Sequence, residues 1–300
     1  MQINMIRSDK VYQEMLELPL EKREGCFRAK ILAPFATKYQ TQHIPLKAKY
    51  PGGFDALFLL GFMNLLPGTL SEKDRPFIDA LSSDQLWQNC QDTIKRSIGL
   101  FEQAGYDLEV EDYHFTILLG NPEKPMLQLN KGYSGDGGIP GYLMLSLLPN
   151  DYTLPRVQAA LAHECNHNVR FQFVKWNQQT TLADWVVSEG LAESFAAELY
   201  GKDLIGSWVT STSPEQLEEI KPIISSQLQL TGMAEMAPYL YGDEIAKIQG
   251  QIPVGMPYAA GYAYGYHLIQ AYLKKTGKSI IEATVTSTEE ILEATKDFWK

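Results

Sequence analysis

Cysteine is scarce in this chain of 300 residues: Cys26, Cys90 and Cys165 make an odd number at wide, unpatterned spacing. That excludes a disulfide framework and a cysteine-type zinc site. Basic residues are outnumbered, 26 Lys and Arg against 36 Asp and Glu, for a net charge of −10. A binder of phosphate backbones needs the opposite balance, so no nucleic-acid partner is expected. Long apolar runs are also missing. The longest, residues 54–66, is interrupted by Asp55, Gly61 and Asn64 and is too short to span a bilayer, so no membrane partner is expected. The opening MQINMIRSDK has no signal-peptide core, which makes the cytoplasm the expected compartment. No internal repeat, low-complexity tract or linker separates independent domains.

What is present is enough apolar residue for a large core, 45% of the chain. The N-terminal hundred residues read as helical: residues 11–18, 21–36 and 54–65 are punctuated by Pro19, Pro34 and Pro51-Gly52-Gly53. From 83 to 103, Leu86, Trp87, Cys90, Ile94, Ile98 and Phe101 recur every three to four residues, an amphipathic helix ended near Gly105. The period then changes. YHFTILL at 113–119 and GYLMLSLL at 141–148 read as strands, which predicts a small, mostly antiparallel sheet. Helices follow over 182–200, from 214 with a bend or break at Pro222, over 258–275, and over 289–299 behind a Ser287 cap.

Histidine is rarer still than proline, with five in the chain, and two of them fall in LAHECNHNVRF. His163 and His167 are four apart, so on a helix they lie about 40° from each other and can reach one metal ion. Glu164 follows the first histidine, about 100° round, where it can address a water at the metal without ligating. Cys165 points about 200° away, into protein. A catalytic zinc commonly has three protein ligands and an open position. Glu189 is the expected third, since it lies on the next helix among Trp185, Val186, Val187, Leu191 and Ala192, where a carboxylate needs a cation or hydrogen-bond partners. Glu193, one turn on, is expected to accept the N–H of a ligand imidazole, most simply His163. His114, alone in a strand, is expected to be structural.

H163-E-C-N-H167 with V187-S-E189-G-L-A-E193 resembles the gluzincin metallopeptidases, in which HExxH is followed by a ligand glutamate. More narrowly, HECNHNVRFQF, SEGLAESFA and GYAYGYHLIQAYL resemble a family known as predicted zinc-dependent proteases, otherwise of unknown function. The resemblance implies a zincin-like, thermolysin-like catalytic domain. The expected class is therefore α+β and predominantly helical, with a helical part over residues 1–110 and a zincin-like part over 111–300 in one compact unit. It also implies one zinc ion per chain, with His163, His167 and Glu189 as ligands and Glu193 as the acid behind them. For the group that stabilises the oxyanion, Pro257-Tyr258-x-x-Gly261 implies Tyr258, whereas the narrower GYxxGY pattern implies Tyr262; His267 is a third option.

The activity implied is hydrolysis of a peptide or protein substrate, with Glu164 as general base. Residues 141–148 are expected to offer a sheet edge to which an extended peptide adds. The alternative is a non-catalytic or chaperone-like peptide-binding module on the same scaffold, in which Glu164 has no task.

Overall fold

In the computed structural model, which describes residues 1–299, the strand-forming sequences all join one four-stranded sheet in the order β1-β2-β4-β3. These are β1 (Gln2–Met5), β2 (Asp112–Leu119), β3 (Tyr133–Ile139) and β4 (Tyr142–Leu147). From Phe115 to Leu119 every residue of β2 is buried, the continuous apolar run of a strand covered on both faces. The expectation of a mostly antiparallel sheet is corrected: β1 with β2 and β2 with β4 are parallel, and only β3 with β4 is antiparallel. The reason lies between β2 and β4, where the link is long enough for a crossover. That link contains β3, built from the glycine-rich YSGDGGI, a strand not expected from the sequence. β4 is therefore an interior strand, paired along both sides, and offers no edge to an added peptide.

The described residues cluster into two compact units, one made of Met1–Arg96 and Glu109–Leu161, the other of Ser97–Leu108 and the chain from Ala162 onward. The first holds the sheet and the helix α1 (Ser8–Glu17). The helix expected over 21–36 ends as an α-helix at Phe27 and continues as π and 3-10 turns to Phe35, as Pro34 requires. Within 54–65 only Ala56–Leu60 is α-helical, capped by the Asp55 side chain on the Phe58 N–H. Helix α2 (Asp84–Gln103) forms as read, burying Trp87, Cys90, Ile94, Ile98 and Phe101 on one stripe before Gly105 turns left-handed.

The helices that follow include those that hold the candidate site. They are α3 (Val157–Phe173), α4 (Leu182–Tyr200), α5 (Pro214–Ser225), α6 (Met233–Tyr241), α7 (Ala260–Thr276), α8 (Ile280–Val285) and α9 (Thr288–Ala294). Helix α4 begins at a capping box, the Thr181 hydroxyl accepting from the Asp184 N–H and the Asp184 carboxylate from the Thr181 N–H. It is buried from Leu182 to Ala196, nearly all round, as a helix at the centre of a unit must be. Pro222 does not break α5, which runs on to Ser225. No helix among the described residues is long and apolar enough to cross a membrane.

Candidate metal centre

Helices α3 and α4 bring His163, His167 and Glu189 together as a buried triangle. The two histidine Nε2 atoms are 3.1 Å apart, and each is 3.2 Å from Oε2 of Glu189. Donors held at about 2.0–2.1 Å in a tetrahedral zinc site stand roughly 3.3 Å from one another, so the triangle fits that ion. Its chemistry fits as well. Protons that let both imidazole nitrogens donate to the one carboxylate oxygen leave two N–H groups facing each other at 3.1 Å, whereas one cation satisfies all three contacts at once.

Glu193 sits behind His163. Its Oε2 accepts from His163 Nδ1 at 2.8 Å and from the indole N–H of Trp208 at 2.7 Å, and its Oε1 accepts from the backbone N–H of Gly206 at 2.5 Å. With Nδ1 carrying the proton, the Nε2 lone pair of His163 is left pointing into the triangle. The loop that delivers Trp208 depends on Gly206, where an added Cβ would fall 1.9 Å from the indole ring. Trp208 and Gly206 were not foreseen in the sequence, because a lone Gly-Ser-Trp beyond α4 carries no periodic or spacing signal.

Burial alone would lower the His163 pKa, but the hydrogen bonds it donates to Glu189 and Glu193 and the charge of Glu164 hold it well above the 6.5 of a free imidazole in the metal-free protein. Burial alone would raise that of Glu189; the charge of His167 and the hydrogen bonds of both histidines bring it down to about 2. Both groups thus carry the marks of one coupled site.

Tyr262 belongs to the same site. Its phenol is pushed well above 10, first by burial and then by the charges of Glu189, with Tyr241, Glu164 and Tyr258 adding, so it stays a neutral O–H donor. Glycine is what permits this neighbourhood. A Cβ on Gly190 would lie 2.1 Å from the Gly265 carbonyl oxygen, so α4 and α7 touch backbone to backbone beside Glu189. Tyr258 lies before α7, separated from it by Ala259 in a left-handed conformation with φ 55°, so Tyr258 and Tyr262 are not successive turns of one helix. His267 is half-buried against the Tyr266 ring, and burial and the charge of Lys221 depress its pKa. Cys165 is buried, and His114 stacks on Tyr142 within the sheet.

The rings around the triangle close on themselves. His167 stacks on Phe171, and contacts of 5.5–6.3 Å run on through Trp176, Trp185, Tyr241, Tyr262 and Trp208 to His163. Such a wall keeps the local dielectric low and strengthens the electrostatics inside it. Seven residues on from His163, and so on the same side of α3, Arg170 is fully buried. It donates to Ser188 Oγ at 3.1 Å, to the carbonyls of Thr284 at 2.8 Å and Thr286 at 3.0 Å, and to Thr288 Oγ1 at 3.2 Å. It fastens α3 to α4 and to the turn between α8 and α9, and desolvation lowers its pKa to about 10. Its sequence signal is an arginine one turn past the second histidine, set between Val169 and Phe171.

Two histidines from one helix and a glutamate from the next, backed by an acid, define a candidate metal centre of the two-histidine, one-glutamate kind. The chain belongs to the family described as "Predicted Zn-dependent protease (DUF2268)", which matches residues 86–293. It is 33% identical to the uncharacterized protein YjfC of Bacillus subtilis (strain 168) over 293 residues, 97% of each chain. It is 26% identical to the uncharacterized protein YjaZ of the same organism over 155 residues, 50% of this chain and 55% of that one. No solved structure shows a significant match to it.

Proposed function

We propose that this chain is a zinc metallopeptidase of the gluzincin type, on a zincin-like scaffold, that hydrolyses peptide bonds in a peptide or protein substrate. The observation that carries the reading is the convergence of His163, His167 and Glu189 at 3.1–3.2 Å. Its support is that Glu164 lies on the same helix and that Glu164 and Tyr262 influence each other electrostatically.

One zinc ion held by those three side chains supplies Lewis acidity toward a water and a carbonyl oxygen. Glu164 takes the proton of the attacking water and passes it to the leaving amine. Tyr262 donates a hydrogen bond to the oxygen that gains charge as the carbonyl becomes tetrahedral, and its high pKa keeps the proton on the donor throughout. Glu193, itself held by Trp208 and Gly206, fixes the tautomer of His163.

The test is a purified Glu164→Gln protein assayed for metal content and for cleavage of a peptide library. Zinc retained at one per chain with hydrolysis lost is the expected result; undiminished hydrolysis would sink the mechanism. A wild type that holds zinc, cleaves nothing and protects unfolded clients as well as Glu164→Gln does would favour the chaperone-like alternative.

A further inference from the structure

Far along the chain from the metal centre, residues 47–62 display a row of aromatic rings to solvent. Tyr50 is 70% exposed, Phe54 52%, Phe58 50% and Phe62 43%. The three phenylalanines stand four residues apart and touch in sequence, at 5.9 Å and 5.5 Å between ring centroids. Scattered exposed apolar residues need no explanation, but a contiguous aromatic row on a soluble surface marks an interaction site.

The row rests on a built platform. Buried Asp55 accepts from the Phe58 N–H at 2.9 Å and the Ala48 N–H at 3.0 Å, and pairs with Arg28 at 2.8 Å. Arg28 also donates to the Leu46 carbonyl, and the Ala56 N–H donates to the Pro45 carbonyl at 2.9 Å. These bonds close residues 45–56 into a loop that holds Lys47 and Lys49, both exposed, at the foot of the aromatic row. Neither lysine makes an ion pair among the described residues. Between residues 42 and 63 the other side chains that can carry charge near neutral pH are His43 and Asp55, the latter buried and paired with Arg28. In a chain of net charge −10, this surface therefore shows positive charge and aromatic area together.

We propose that residues 47–62 dock the protein on an anionic lipid surface, with Phe54, Phe58 and Phe62 entering the interfacial zone and Lys47 and Lys49 meeting lipid phosphates. The charge complementarity selects an anionic partner. The composition selects lipid over an acidic protein, because a protein interface requires about one hydrogen bond per 100–200 Å² and the exposed side chains of the row, beyond one tyrosine, are apolar. Aromatic rings with flanking lysines are what an interfacial zone receives.

Flotation of the full chain with vesicles tests this, using phosphatidylcholine alone or mixed in equal parts with phosphatidylglycerol. The wild type is expected to float with the anionic vesicles and to stay behind with the neutral ones. Phe58→Ser should weaken partitioning by about tenfold, and Lys47→Ala with Lys49→Ala by about thirtyfold, with unchanged thermal midpoints since all three side chains are exposed. Added salt should release the wild type. No binding to anionic vesicles, or binding that ignores these substitutions, overturns the proposal. So does a wild type that leaves vesicles alone but self-associates in a way Phe58→Ser abolishes, which would make the row a protein contact.

Discussion

Gly190 and Gly265 are packed so closely that a methyl group on either would enter the other helix's backbone: a Cβ on Gly265 would lie 2.0 Å from the Val186 carbonyl oxygen and 3.2 Å from the Gly190 nitrogen. Glu189 adjoins the first glycine and Tyr262 lies one turn before the second, so this contact sets how near a neutral phenol stands to the metal donors. Both glycines sit inside helices, where glycine costs up to about 1 kcal/mol against alanine. The close approach is what that cost secures.

Gly265→Ala is expected to part α4 from α7 and to destabilise the chain by about 1–3 kcal/mol, the usual range for overpacking. Urea denaturation of chelator-treated protein measures it without a contribution from bound zinc. An unshifted midpoint would mean that the two helices have room to separate.

Tyr262→Phe removes the donor and leaves the ring contacts with Trp208 and Tyr241 in place. The expected loss in kcat is about 10²–10³-fold, with KM little changed, the signature of a hydrogen bond strongest in the transition state. Tyr258→Phe, on the far side of the left-handed Ala259, is expected to change kcat by no more than a few fold. The reverse ranking in steady-state kinetics would hand the oxyanion role to Tyr258.

The candidate donors that the structure brings together were legible in the sequence because their geometry is periodic: an i, i+4 pair on one helix needs no tertiary information, and Glu189 and Glu193 stand out as carboxylates among apolar neighbours. What was not legible depends on loops and single dihedrals. That Tyr258 and Tyr262 do not lie on successive turns of one helix follows from one positive φ at Ala259, which no pattern announces. Trp208 reaches Glu193 from a turn beyond α4, so its role arises only when that turn folds back. Strand direction was misjudged for a similar reason. β1 has only four residues, too few for alternation to register, and the glycines of β3 carry no strand pattern although their backbone pairs with β4. The helical stripe of α2, by contrast, is set by side-chain burial alone and was read correctly to within a residue.

Glu193→Gln should keep the fold and lose zinc more readily, since an amide cannot match a carboxylate as partner to His163 Nδ1–H. A loss of about 10–100-fold in zinc affinity is expected. Trp208→Phe, which leaves Glu193 in place with one donor fewer, should cost less. Competition against a chromophoric chelator ranks the three proteins, and equal affinities would show that Glu193 does not orient the ligand.

Arg170→Met keeps most of the buried stem and removes every hydrogen bond of the guanidinium. The carbonyls of Thr284 and Thr286 would each lose a charged donor within the core, at about 1–3 kcal/mol apiece. Loss of about 3 kcal/mol in chemical denaturation is expected, with protease sensitivity appearing first between α8 and α9. A variant as stable as the wild type would mean that water replaces the guanidinium there.

The pH dependence of the metal-free protein has a definite sign. His163 is held protonated well above 6.5, so its contribution to stability is fully present below 6.5 and is lost as pH rises through the raised value. Glu189 is held ionised down to about 2, so its contribution is present above 4.5 and is lost as pH falls toward 2. The two describe one interaction seen from its partners, and together they make the chelator-treated protein most stable between 4.5 and 6.5. Zinc must displace the His163 proton, so its affinity should climb with pH above 6.5, by up to about tenfold per unit, until the raised pKa is passed. Zinc titrations at a series of pH values, paired with denaturation of the metal-free protein, measure both effects. A zinc affinity that is already flat above 6.5 would mean that His163 is neutral before the metal arrives, and that Glu189 and Glu193 position the ring without holding a proton on it.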